Sequence, residues 1–122
     1  MAKAILVADD DPDILSIVSM SLETQGYTVH KATNGREAVD VARERHPDLV
    51  LLDMMMPELS GYEAIGELKA DPATRDIVIV GLSAKAMASD MERATEAGID
   101  GYITKPFRIA QVLAAIEEHL RG

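Results

Sequence analysis

Apolar residues along this chain follow two rhythms. Ala4 to Ala8 is a short unbroken apolar run, and Thr28 to Ala32, Leu49 to Asp53, Ile77 to Leu82 and Tyr102 to Thr104 are further short segments that read as strands. Between them the apolar positions recur at helical spacing. Ile14, Leu15, Val18 and Leu22 follow the first run, Ala38, Val39 and Ala42 the second, Ile65 and Leu68 the third, and Val112, Leu113, Ile116 and Leu120 the last. The punctuation agrees with this division. Asp11 before Pro12 offers an N-cap acceptor and a proline at the first helical position, and Gly26 stops that helix. Asn34 and Gly35 predict a turn, and Pro47 ends the helical region after it. Ser60 with Glu63 predicts a capping box, and Asp71 and Pro72 break the helix it opens. Ser89 and Gly98 bound a fourth helix.

Strand followed by helix, five times over, predicts an α/β fold with a parallel sheet covered by helices on both faces. The near-continuous apolar character of the strands fits burial from both sides. Five units suit a doubly wound (βα)5 five-stranded parallel sheet of the flavodoxin-like type, strand order 2-1-3-4-5, whose functional groups gather beyond the carboxyl ends of the strands.

The length of 122 residues and the lack of any Gly-, Ser- or Pro-rich spacer predict one domain over 1–122. The net charge of −9 disfavours nucleic acid and anionic membranes and favours small cations as partners. No apolar run is long enough to span a bilayer, and the start MAKAILVADDD lacks the apolar core of a signal peptide. There is no cysteine, hence no thiolate nucleophile or disulfide, which fits a cytoplasmic setting.

The strand ends carry the chemistry. Strand one ends at Asp9 and Asp10, strand three at Asp53, strand four at Ser83 and strand five at Lys105, followed by Pro106. Any one of these reads equally well as a loop residue or a cap, but together they form one polar edge. Carboxylates brought together repel unless protons or a cation join them. Acid oxygens without Cys or His favour a hard divalent ion, and Mg²⁺ keeps coordination positions open for water and a phosphate oxygen. Lys105 adds a second positive charge, and Ser83 adds a donor. Phosphoryl transfer asks mainly for positioning and charge neutralisation, so Asp53 is a candidate nucleophile that would become an aspartyl phosphate.

The segments VADDDPDIL, VLLDMMMPELSGYEA, GLSA and DGYITKPF, in that order and spacing, resemble the receiver domain of bacterial two-component response regulators, and the likeness spans essentially the whole chain. The resemblance implies a Mg²⁺-dependent switch that takes phosphate from a sensor histidine kinase or a histidine phosphotransfer protein onto Asp53. It implies that Asp10 ligates Mg²⁺ directly, that Asp9 acts largely through water, and that the backbone carbonyl of Met55 makes a further contact. Asp11 is then the helix cap. Lys105 pairs with the acceptor and later with the phosphoryl group, Pro106 follows a cis peptide bond, and Ser83 and Tyr102 are the switch pair. Met55 and Lys85 occupy the positions that tune dephosphorylation. Output passes through the surface of the fourth helix, fifth strand and last helix to an effector protein or output domain, and a phosphorylation-linked homodimer is compatible with it. Such a domain catalyses only its own phosphorylation and dephosphorylation and is not otherwise an enzyme.

Other readings of the same residues are weaker. A phosphohydrolase with an aspartate nucleophile places a second acid two residues later, where this chain has Met55. A receiver that no longer takes phosphate would not need the whole polar set. Sulfur ligation of a soft metal is disfavoured, since Met54, Met55 and Met56 are consecutive and their side chains cannot converge on one ion; Met54 and Met56 are expected to pack. His30, His46 and His119 join no constellation and read as surface or partly packed residues.

Overall fold

The computed structural model describes residues 3–56, 58–83, 92 and 95–120. Its strands are β1 (Ala4–Ala8), β2 (Thr28–Ala32), β3 (Leu49–Asp53), β4 (Val78–Ser83) and β5 (Gly101–Thr104). They form one parallel sheet in the order β2-β1-β3-β4-β5. The helices α1 (Pro12–Thr24), α2 (Gly35–Arg45), α3 (Gly61–Ala70) and a C-terminal helix (Ile109–Leu120) flank it. The expected fold class is therefore observed, and strand boundaries differ from the sequence expectation by at most one residue, within the usual latitude of strand ends. Residues 95–97 are helical and lead to Gly98, whose φ of 109° is a conformation that glycine adopts without strain. Ser89, expected to cap the fourth helix, lies outside the described residues, as does Lys85.

Alternation along the strands builds two cores. Leu6, Ala8, Val50, Leu52 and Ile79 point to one side and pack with Ala38, Val39, Ala42, Ile65 and Leu68 of α2 and α3. Ile5, Val7, Leu49, Leu51, Val80 and Leu82 point to the other, against Leu15, Val18 and Leu22 of α1 and Val112 and Ile116 of the C-terminal helix. A period-2 strand between two helical layers must alternate in this way. The edge strand β2 is the exception, because Thr28 and Lys31 face solvent.

The caps fix where the helices start, and so the shape of the loops at the strand ends. Asp11 accepts hydrogen bonds from the Asp13 and Ile14 amides at 2.9 and 3.4 Å, as expected of the N-cap before Pro12. Ser60 and Glu63 form the full capping box. The expected turn at Asn34 and Gly35 is instead a helix start. Asn34 Oδ1 accepts from the Glu37 amide at 2.7 Å, which makes Asn34 the N-cap and Gly35 the first residue of α2. Turn-forming Asn and helix-capping Asn use the same short side-chain acceptor, so the dipeptide does not distinguish them. Glycine is needed at position 35 because a Cβ there would collide with the backbone of Leu59.

Candidate functional site

Asp53 is the last residue of β3, a strand buried along its whole length, and its own side chain is buried with it. The β1–β3 register sets Ala8 beside Leu52, which brings Asp9, one residue beyond β1, next to Asp53. Asp9 is fully buried, and its amide donates to the Ala32 carbonyl at 3.1 Å, so it is anchored on the β2 side as well. Lys105 follows β5 and donates its amide to the Ser83 carbonyl. From there its Nζ reaches Asp9 Oδ2 at 2.9 Å and Asp53 Oδ2 at 3.2 Å. The remaining oxygens of both acids accept amide protons: Asp9 Oδ1 from Asp11 at 2.9 Å, and Asp53 Oδ1 from Met55 at 3.0 Å.

Electrostatics at Asp53 are finely opposed. Burial raises its pKa, the Met55 amide lowers it, Asp9 raises it and Lys105 lowers it; the balance is pushed up from 3.8 to about 6. Burial alone would lower the Lys105 ammonium, but its hydrogen bond to Asp9 and the charges of Asp53 and Asp9 outweigh that and carry it upward.

Asp10 is exposed at the rim, and one oxygen from each of Asp9, Asp10 and Asp53 lies within 4.8 Å of the others. Three carboxylates against one ammonium leave an excess of negative charge, and the donor set is hard oxygen throughout. These residues therefore fit a divalent cation such as Mg²⁺.

The loop after β3 is held tightly. The Met54 amide continues the sheet by donating to the Leu82 carbonyl at 2.9 Å, and the Gly61 amide donates to the Met54 carbonyl at 3.2 Å. Gly61 lies so close to the Met54 Cα that a Cβ would clash with it. Met54 and Met56 are buried, as expected, whereas Met55 projects into solvent. Ser83 is buried at the end of β4, one residue past the Asp53–Leu82 pairing, and stands opposite Thr104. Tyr102 is half-buried in β5 opposite Gly81 and packs against the core shared by α2 and α3. Tyr102 and Lys105 also line a shallow recess of about 640 Å³ whose far side is Gln111 and Glu118 of the C-terminal helix. The Lys105–Pro106 bond is cis.

The structure thus brings together Asp9, Asp10, Asp53 and Lys105, with the Met55 amide on the Asp53 carboxylate. One feature escaped sequence reasoning: Lys105 lies closer to Asp9 than to Asp53. The strand order held the clue, because β1 and β3 are neighbours and their terminal acids must share whichever cation sits above them.

The whole chain has close counterparts. Residues 5–117 match the response regulator receiver domain family. The chain is 35% identical over 120 residues to the polar-differentiation response regulator DivK of Brucella ovis, covering 98% of both proteins. Its fold superposes on the chemotaxis protein CheY4 of Vibrio cholerae with a TM-score of 0.94 at 26% identity, covering 98% of this chain and 100% of that one. It also superposes on the receiver domain of the sensor histidine kinase PA1611 from Pseudomonas aeruginosa, with a TM-score of 0.89 at 30% identity over 97% of each chain. That structure has a magnesium ion coordinated in its active site cleft. With a sheet of the same order and a match over almost its full length, this chain belongs to the response regulator receiver domain family of two-component signalling.

Proposed function

We propose that residues 1–122 act as one cytoplasmic phosphorylation switch in which Asp53 is the phosphoryl acceptor. The observation that carries the reading is the bridging of Asp9 and Asp53 by Lys105 at the buried end of the central strands. In this reading a sensor histidine kinase or a histidine phosphotransfer protein presents phosphohistidine. An Asp53 carboxylate oxygen forms the new bond to phosphorus as the P–N bond breaks, and the imidazole keeps the electron pair and takes up a proton. Water later attacks the phosphorus, returning the carboxylate and inorganic phosphate.

Asp9, Asp10, Asp53 and the Met55 carbonyl would hold Mg²⁺. When bound, the ion neutralises charge on the transferring phosphoryl group. Lys105 supplies the fixed positive charge that the dianion needs, and its position beside Asp9 keeps it at the site as Asp53 is modified. Ser83 donates to a phosphoryl oxygen and, with Tyr102, biases the surface formed by β5 and the C-terminal helix toward its active arrangement. Arg108, Gln111 and Glu118 lie near that surface, where an effector protein or output domain would bind, and phosphorylation-linked homodimerisation would use the same face. Met55 and Lys85 tune the lifetime of the phosphate. The net charge of −9 argues against nucleic acid as a direct partner, and among the described residues no helix is long and apolar enough to cross a membrane.

The test is intact-mass spectrometry after incubation with acetyl phosphate and Mg²⁺. One phosphate adduct is expected in the wild type, none in Asp53→Ala, and little without Mg²⁺. An adduct that persists in Asp53→Ala would place the acceptor elsewhere. No adduct from acetyl phosphate or from any phosphohistidine donor would leave the chain a binding module.

A further inference from the structure

Three consecutive methionines follow the acceptor strand, and the fold treats them very differently. Met54 is 1% exposed and Met56 is 8% exposed, while Met55 is 73% exposed. Burial protects a thioether from oxidants dissolved in water, so within this run Met55 stands alone in its exposure. It is also the residue whose amide donates to Asp53 Oδ1 at 3.0 Å. The other groups in contact with the acceptor, Asp9 and Lys105, are buried or nearly so. Water that attacks a phosphoryl group on Asp53 must come from the solvent, and of the three methionines beside that acid Met55 is the one that reaches it, with its amide bonded to the carboxylate. The chain has no cysteine, so a two-electron oxidant meets methionine as its softest target. Met20 serves as an internal comparison: it is 65% exposed on the outward face of α1, among residues that take no part in the site.

We propose that Met55 is a redox modification site, converted to the sulfoxide by hydrogen peroxide or an organic hydroperoxide, and that this oxidation shortens the life of the phosphorylated state. The thioether sulfur attacks one peroxide oxygen, the O–O bond breaks, and that oxygen stays on sulfur. Sulfur loses two electrons, and the second peroxide oxygen takes them with a proton and leaves as water or alcohol. An apolar side chain that cannot bind water becomes one with a strong hydrogen-bond acceptor. At the solvent side of Asp53 that acceptor orients the attacking water, so signalling through this domain becomes briefer under oxidising conditions. The timing half of the proposal rests on Asp53 carrying the phosphate, whereas the modification half does not.

The experiment has two arms on the intact protein. Peptide mapping after limited hydrogen peroxide should find one added oxygen on Met55 and on Met20 well before Met54 or Met56. Sparing of Met55, or equal oxidation of all three consecutive methionines, would overturn the site. In the second arm, protein oxidised and then phosphorylated with acetyl phosphate should lose its phosphate about fivefold faster than untreated protein, the rate equivalent of one hydrogen bond. Methionine sulfoxide reductase should restore the slow rate. Met20→Leu should remain sensitive to peroxide, and Met55→Leu should become insensitive. An unchanged rate in oxidised wild type, or a peroxide effect that survives in Met55→Leu, would overturn the timing role. Failure of the untreated protein to take phosphate at all would instead sink the acceptor reading and the timing role with it, while the peptide map would still judge the site.

Discussion

Lys105 and Arg36 each hold two carboxylates, yet they do so in opposite surroundings. Lys105 bridges Asp9 and Asp53 at the end of the sheet, with its side chain 18% exposed and both acids buried. Arg36, 42% exposed on α2, makes a two-pronged contact with Glu67 of α3 at 3.1 and 3.2 Å and a looser one with Asp40 at 3.5 Å. Arg43 extends that surface network to Glu67 and Asp71. On the surface, water competes for every charge, and the gain from pairing is small. At the sheet edge water is largely excluded, so each group depends on its partners and removing one exposes the others to the full penalty of burial. The surface network ties two helices together and can lose a member. The buried trio carries a standing excess of negative charge, which fits it to a cation at the rim.

The sharpest way to break this contrast is Lys105→Ala. Two buried acids then face each other without their cation, and urea unfolding in the presence of a chelator should show a loss of about 3 kcal/mol. Millimolar Mg²⁺ should recover much of it, because an ion that binds only the folded state stabilises by mass action. A loss that Mg²⁺ leaves untouched would point to packing rather than charge.

Asp53→Asn should act in the reverse direction. The folded-state pKa of about 6 lies above the ordinary 3.8, so the folded protein binds the proton more tightly than the unfolded chain does. Stability from this group is therefore fully present below pH 3.8 and is lost as pH rises through about 6. Near neutral pH, in chelator, the asparagine variant should gain on the order of 1 kcal/mol once screening by water at the rim is allowed for. That gain should fade toward pH 4. Thermal melts across this range would check it, and a gain independent of pH would refute the electrostatic account.

The smallest effect belongs to the surface. A double-mutant cycle on Arg36 and Glu67 should shift the melting temperature by no more than a few degrees, and the coupling should disappear in concentrated salt. A coupling that survived salt would mean that the two helices shield this pair more than its exposure suggests.

Much of the molecule was legible in the sequence for local reasons. Helical and strand periodicity, the Asp11–Pro12 start and the Ser60–Glu63 capping box all depend on neighbours within a few residues, and all appear in the structure. The reading of Asn34 and Gly35 as a turn failed because a short Asn acceptor serves a turn and a helix cap equally well, and here it accepts from the Glu37 amide as the cap of α2. The site was legible in part. Asp9, Asp53, Ser83 and Lys105 could be assigned to strand ends once the strands were found. The Lys105–Asp53 pairing came only from the family resemblance and the Lys105–Asp9 bond not at all, since Lys105 lies 96 residues from Asp9 and 52 from Asp53 in the chain.

The sequence by itself determined which residues stand at the carboxyl edge, because alternating strands and helices leave a parallel sheet few ways to close. Within VLLDMMMP it also determined that one acid ends an apolar strand. Tertiary structure alone decided the rest. The neighbouring of β1 and β3 set two acids side by side under one lysine, and burial then moved the Asp53 carboxyl up to about 6. Gly61 packs closely on Met54, and of the run Met54 and Met56 are buried while Met55 is left in water. Burial and charge depend on distances between segments far apart in the chain, which the periodicity of any one segment does not encode.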